Sequence, residues 1–260
     1  VSDPTVDPEV LARERKHHDQ LYSGFAQQHF ASPAVVSFRK DFVQRLIRRT
    51  GLTRTCRVLS LGCGIGDVEL LLSPMVEFIT GIDVSPPGIA QARADAAAAH
   101  VRNVEFLESS FDDPELEKRL QRFDLVLAKF FFHHLPPAAL AAAPLRIRSW
   151  LREGGCVYSL DPSRYRLLGW IGQRVIPKKM AAYQTEDESP LAAADLHRVF
   201  GKAGFDVETR MYDYFSTPLA GLFPRWRSGY RAARLADDLL TRIPLLSRSA
   251  SSVEMLARLR

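Results

Sequence analysis

An α/β fold with a doubly wound, mostly parallel sheet is predicted by three features of the sequence. The first is Val58-Leu59-Ser60-Leu61-Gly62-Cys63-Gly64-Ile65-Gly66-Asp67, a strand-like apolar run that breaks into alternate glycines and continues as Val68-Glu69-Leu70-Leu71-Leu72. Strand, tight glycine turn and helix start let the backbone approach a bound nucleotide closely. The second is Asp83, which ends the next apolar run, Phe78-Ile79-Thr80-Gly81-Ile82. An acidic residue about 20 positions after the first glycine is placed to take a ribose hydroxyl pair. The third is repetition. Strand-length apolar runs alternate with helix-length segments between residues 57 and 161, the pattern of parallel strands joined by right-handed crossovers.

In order along the chain, residues 8–30 read as a helix. Arg13, Glu14, Arg15 and Lys16 lie on one side, with Leu11, Leu21, Tyr22 and Phe25 available for packing. A second helix at 33–49 carries Val35, Phe38, Phe42 and Leu46 at helical spacing and closes at Gly51. These two helices either cover a ligand as a lid or pack as an N-terminal appendage. The first strand is 57–61, followed by a helix from 67 to about 74. The second strand is 78–83. Ser85 then reads as an N-cap, with Pro86 in the first turn of the helix at 88–99. Strand three is 104–108. Strand four, 124–129, is apolar through its middle, as a strand buried on both faces should be. A helix at 137–151 leads to Gly154-Gly155, which turns the chain into strand five, 156–161.

The pattern then changes. Residues 164–183 are aromatic and basic (Tyr165, Trp170, Arg174, Lys178, Lys179) and are expected to cap the sheet edge. A helix at 191–203 ends at Gly204, residues 205–215 alternate like a strand, and 221–243 form an arginine-studded amphipathic helical region. Residues 252–260 alternate through Val253, Met255 and Ala257.

Composition narrows the classes. At 260 residues with 46% apolar content, the chain is long and apolar enough for one large globular domain and is not a disordered one. The charge of +5 is spread rather than blocked, which reads as a solvated surface more than a nucleic-acid footprint. Cys56, Cys63 and Cys156 form no CxxC pair, so neither a disulfide framework nor a metal site is expected from them. The acidic start, Ser2-Asp3-Pro4, does not read as a signal peptide, and no apolar run is long enough to span a bilayer; a cytoplasmic protein is expected.

Six pieces, in their order and spacing, carry a family resemblance. They are Leu61-Gly62-Cys63-Gly64-Ile65-Gly66, Ile82-Asp83-Val84-Ser85, Asn103-Val104-Glu105-Phe106, Phe123-Asp124-Leu125-Val126, Phe132-His133-His134-Leu135 and Leu151-Arg152-Glu153-Gly154-Gly155. Over most of residues 58–215 the chain resembles the class I S-adenosylmethionine-dependent methyltransferases, in particular their small-molecule branch. The resemblance implies a Rossmann-like sheet of seven strands with helical caps and an antiparallel last strand, which 252–260 would supply. It implies one methyltransferase domain over 1–260. Within it, 1–55 are N-terminal lid helices, 56–162 the cofactor-binding core, and 163–260 the rest of the sheet, with cap insertions around 163–185 and 217–248.

The same resemblance implies S-adenosylmethionine as cofactor. Gly62 and Gly64, with Cys63 between them, would pass beside its methionine part, Asp83 would hold the ribose hydroxyls, and Val84 would pack on the adenine. Where the family often has an acidic and then a small residue near the adenine amine, this chain has Ser110-Phe111. A serine hydroxyl accepts a hydrogen bond there without charge. Lys129 and Phe130 would sit near the sulfonium, and a lysine beside a cationic sulfur is expected to point away or pair elsewhere. Tyr22 and Arg39 are candidates for the methionine carboxylate, or else ordinary helix residues.

Methyl transfer from a sulfonium is an in-line displacement in which the protein chiefly aligns the partners. A base is needed where the acceptor must lose a proton. His133 and His134, just after strand four, and Asp161, at the end of strand five, are the candidates. Backbone satisfaction for the histidines and turn capping for Asp161 are the alternatives. The acceptor pocket is expected to draw on Phe130-Phe131-Phe132, Tyr165, Trp170 and residues 211–226. Their aromatic density points to an apolar or ring-bearing small molecule, with core packing as the plain alternative. No Asn-Pro-Pro-Tyr-like sequence follows strand four, so a nucleic-acid substrate is not expected. The segment 221–243, with Arg225, Arg227, Arg231 and Arg234, reads as a lid helix or as a membrane-surface contact. Two other classes remain at this point, a non-catalytic cofactor-binding protein and a nicotinamide-dependent dehydrogenase. The latter spaces its glycines G-x-G-x-x-G, whereas the third glycine here follows the second by two.

Overall fold

The structure, a computed structural model, describes residues 7–22, 29–120, 122–178 and 188–260. Phe25, Lys179 and Tyr183, and the acidic start at Ser2-Asp3-Pro4, lie outside the described residues. Strands β1 (Arg57–Leu61), β2 (Phe78–Asp83), β3 (Val104–Glu108), β4 (Phe123–Lys129), β5 (Leu151–Pro162), β6 (Phe205–Met211) and β7 (Ser252–Leu259) form one seven-stranded sheet. Their order is β3-β2-β1-β4-β5-β7-β6. Pairing is parallel from β3 through β5, while β7 runs antiparallel to both β5 and β6. The doubly wound, mostly parallel, seven-stranded class is therefore observed.

Alternate strand residues enter opposite core layers. Leu59, Leu61 and Met255 pack with Phe132, Trp150 and Phe200 on one face. Val58, Leu125 and Tyr158 pack with Phe42 and Leu46 on the other. Burial on both faces is why β1 and β4 read as nearly continuous apolar runs.

The helices are α1 (Pro8–Tyr22), α2 (Pro33–Thr50), α3 (Asp67–Leu72), α4 (Pro86–Ala98), α5 (Leu116–Arg119), α6 (Pro137–Trp150), α7 (Leu167–Val175), α8 (Ala193–Lys202), α9 (Ser216–Leu222), α10 (Arg227–Leu240) and α11 (Pro244–Ser247). Gly51 closes α2 in the left-handed region, at φ 72°, with its N–H on the Ile47 carbonyl. Ser85 caps α4, its hydroxyl accepting from the Gly88 N–H at 3.4 Å.

Three expected boundaries move. Gly154-Gly155 is not a turn before strand five, because β5 already begins at Leu151, opposite Phe123. The glycines form an irregularity inside the strand, where the register shifts between Phe123 and Leu125 and Gly154 takes φ 74°. β6 stops at Met211 because the buried carboxylate of Asp237, on α10, accepts the backbone N–H groups of Tyr214, Phe215 and Ser216 at 2.9–3.0 Å. The helical region expected at 221–243 is two helices, broken at Phe223–Trp226 around Pro224. No helix among the described residues is long and apolar enough to cross a membrane.

Candidate active site

In a doubly wound sheet the ligand crevice opens where neighbouring strands are reached in opposite directions. Here that point lies between β1 and β4, so the glycine turn after β1 and the Phe130–His134 stretch after β4 face each other. A cavity of about 520 Å³ opens there, walled by both and by one side of α1.

Gly62, Gly64 and Gly66 all have positive φ, at 65°, 54° and 72°. Each is also crowded: a Cβ on Gly64 would lie 2.5 Å from the Tyr22 hydroxyl, and one on Gly66 2.6 Å from Phe106. Glycine is the residue that admits both the backbone shape and the close approach. Gly66→Ala is expected to destabilise the protein by about 2–5 kcal/mol, from left-handed strain plus overpacking against Phe106 and Ala92. Chemical denaturation measures this, and an unchanged midpoint would refute it.

Asp83, 8% exposed, ties the turn to the tip of β2. Its Oδ2 accepts from the Gly64 N–H at 2.8 Å and its Oδ1 from the Ser85 N–H at 2.9 Å. Cys63, Val84, Ser110 and Phe111 line the same cavity. The Ser110 hydroxyl donates to Asp112, two residues further on and outside the cavity lining. A close-packed glycine backbone, a buried carboxylate at the next strand tip and an apolar wall beyond it fit an adenosine-bearing cofactor.

The other expected contacts form a charged group below the turn. Arg39 pairs with Asp67 and donates to the Phe30 carbonyl at 2.7 Å. Lys129 pairs with the same Asp67 at 3.6 Å, so its charge is taken up there, as the sulfonium argument requires. Glu69, 2% exposed, lies beneath them, its Oε1 accepting from Ser60 Oγ at 2.5 Å. Burial pushes the Glu69 carboxyl from 4.5 up to about 7 against the Ser60 bond. Its native pKa exceeds the unfolded one, so the folded state holds the proton more tightly and stability falls as pH rises from about 4.5 to 7. Glu69→Gln keeps the Ser60 bond and is expected to remove that decline, a gain of about 3 kcal/mol at pH 8. Denaturation at pH 5 and pH 8 measures it; equal slopes for both proteins would refute it.

After β4 the chain turns sharply. Phe130 holds φ 54°, a strained value for a bulky residue, and donates its N–H to Leu160 at 2.7 Å. Phe131 also lines the cavity, whereas Phe132 is fully buried in the core. His133 Nδ1 donates to Asp161 Oδ1 at 2.9 Å. The same oxygen accepts the backbone N–H groups of Phe131 and His133 at 3.1 and 3.3 Å. Asp161, expected as a second base, is fully buried and stands behind His133 rather than in the cavity, its carboxylate holding the imidazole. Burial, and next the neighbouring His134, lower the His133 pKa. His134 turns the other way, with Nδ1 2.9 Å from Glu14 on α1. Burial opposes charge on His134, but the Glu14 bond and the surrounding carboxylates outweigh it and raise its pKa.

Two expected acceptor contacts, one just before α7 and one on its outer face, do not line the cavity. Tyr165 and Trp170 are 63% and 54% exposed, and Leu168, Gly169, Gly172 and Ile176 line the cavity instead. From 211–226, Thr217, Pro218, Ala220, Gly221 and Leu222 reach it, while Trp226 is exposed. Glu14, His18 and Glu188 also line the cavity, and their sequence surroundings carry no motif; Asp67, at the end of the glycine stretch, lines it too.

Residues 58–155 match a family model described as a methyltransferase domain. A ubiquinone biosynthesis O-methyltransferase of Rhodopseudomonas palustris (strain HaA2) is 30% identical over 142 residues, covering 51% of this chain and 53% of that protein. The chain thus spans about half the length of the curated relatives of this kind that it matches. An uncharacterized methyltransferase of Synechocystis sp. (strain PCC 6803) is 27% identical over 172 residues, 66% of this chain and 77% of that one. Among solved structures, magnesium protoporphyrin IX methyltransferase from Synechocystis PCC 6803, with SAM bound, has a TM-score of 0.58 at 14% identity and covers 100% of both chains. The last likeness shows the fold. Fold, crevice and domain match together define a class I methyltransferase domain. Residues 58–155 therefore form a methyltransferase domain whose cofactor is S-adenosylmethionine, and the nicotinamide alternative is set aside.

Proposed function

We propose that the chain methylates a hydroxyl oxygen on a small, largely apolar, ring-bearing acceptor, with His133 as general base. The observation that carries this reading is His133, which lines the cavity that also holds the glycine turn and is paired at 2.9 Å with the buried Asp161 behind it. Gly62, Gly64, Asp83, Val84, Ser110 and Phe111 would hold the cofactor, which supplies an electrophilic methyl group. Because Nδ1 keeps its proton and donates it in the hydrogen bond to Asp161, Nε2 is left as the acceptor nitrogen and can remove the hydroxyl proton as the oxygen is methylated. Phe130, Phe131, Leu168, Ile176 and Leu222 offer apolar walls for a ring. The O-methyltransferase name of the Rhodopseudomonas relative agrees with oxygen as the atom. The N-terminal region acts as a lid in this reading, since α1 forms a cavity wall through Leu11, Leu21 and Tyr22.

The test is methyl transfer from labelled S-adenosylmethionine to hydroxylated ring compounds of graded size and to their amine counterparts. Labelled ethers of the larger, apolar alcohols or phenols are expected. Transfer confined to amines, or none across the series, overturns the proposal.

A further inference from the structure

Five of the seven histidines line this one cavity, His17, His18, His29, His133 and His134, and the proposed reaction uses only His133. Glu14 and His18 stand one helical turn apart on α1 and so project from the same face. Both meet His134, which arrives from the turn after β4. Glu14 Oε2 lies 2.9 Å from His134 Nδ1 and 3.7 Å from His18 Nδ1, and one donor atom from each of the three residues lies within 4.8 Å of the others. Tetrahedral coordination at zinc-type bond lengths sets ligand atoms about 3.4 Å apart, so an ion needs only small side-chain adjustments here.

The surroundings agree. Glu14 is 7% exposed, an acid held against two imidazoles inside the protein. His18 Nδ1 also meets the Glu14 backbone carbonyl at 2.9 Å, a contact that orients the ring on α1. Glu188 stands at the edge, 3.9 Å from His134 Nδ1, and closes a second, overlapping group with His133 and His134.

We propose that Glu14, His18 and His134 bind one divalent transition-metal ion of the zinc class at the rim of the cavity, with a fourth position open to the acceptor. Imidazole nitrogens with one carboxylate favour zinc, cobalt or iron over magnesium or calcium. Such an ion ties α1 to the turn that carries His133 and draws a heteroatom of the acceptor toward that base. The metal site stands on its own geometry, and only the acceptor's presence beside it rests on the proposed function.

The test uses tag-free, chelator-dialysed protein titrated with Zn²⁺ and Co²⁺. Bound metal is read by elemental analysis and calorimetry, and Co²⁺ coordination by its visible spectrum. One ion per chain is expected, with the spectrum of a low-coordinate nitrogen–oxygen site. Glu14→Gln and His134→Ala should each weaken Zn²⁺ binding at least about 100-fold, while His17→Ala changes it less than about threefold. S-adenosylmethionine binding, measured in parallel, establishes that each variant is folded, and His18→Ala replaces any variant that is not. Wild-type protein that binds S-adenosylmethionine yet takes up no stoichiometric metal overturns the site, as does equal Zn²⁺ affinity in wild type and folded variants. Neither result touches the methyl-transfer assay, so the two readings fail separately.

Discussion

His133→Gln is expected to bind S-adenosylmethionine as tightly as the wild type, within about threefold, and to turn over about 10²–10⁴-fold more slowly. The argument rests on which atoms change. The imidazole meets Asp161 through Nδ1, at 2.9 Å, and none of the backbone bonds that shape the glycine turn passes through its ring. A glutamine amide can still donate to Asp161, so the loop after β4 keeps its anchor, but the amide has no basic nitrogen to receive a proton at neutral pH. Asp161→Asn should show a milder form of the same defect, because an amide can present a donor to Nδ1 and favour the wrong tautomer. Calorimetry gives the cofactor affinity, and single-turnover kinetics give the chemical step. A His133→Gln enzyme with wild-type single-turnover rate would leave alignment as the whole of catalysis.

The second large effect falls on the cofactor. Asp83→Ala is expected to weaken S-adenosylmethionine binding by about 10²–10⁴-fold. Two charge-assisted bonds, at 2.8 and 2.9 Å, hold the Gly64 and Ser85 N–H groups to this one carboxylate. At roughly 1.5–3 kcal/mol each, their loss is worth about 3–6 kcal/mol of turn geometry, before any ribose contact is counted. Asp83→Asn should do little better, because the amide presents N–H to one of the N–H groups it must accept. Binding isotherms and the thermal shift with cofactor measure the effect, and a variant within tenfold of wild-type affinity would remove Asp83 from the site.

The stretch from β1 to β4 was legible because its strands are buried on both faces and its turns need glycine or a cap, so each element is written locally. Gly62 takes the left-handed turn, Ser85 the cap and Gly51 the helix close that their neighbours imply. What stayed hidden depends on partners distant in sequence. A Gly-Gly pair looks like a turn until Phe123 is seen pairing with Leu151 across it. The end of β6 is set by Asp237, on a later helix. Glu254 would read as the solvent side of an alternating strand, yet it is fully buried against Arg45 and Arg49 of α2. Likewise Glu14 and His18 look like the charged side of a surface helix, and only the packing of α1 over the cavity turns them toward His134.

β7 follows β6 in the chain but lies between β6 and β5 in space. As the protein emerges from the ribosome, residues 205–211 therefore have no strand partner until 252–259 arrive to bridge them to the sheet. Assembly of this flank is a closing step that waits on late-synthesised residues, and until then β5 carries a bare edge, the kind of exposed ladder to which holding chaperones and stray strands bind.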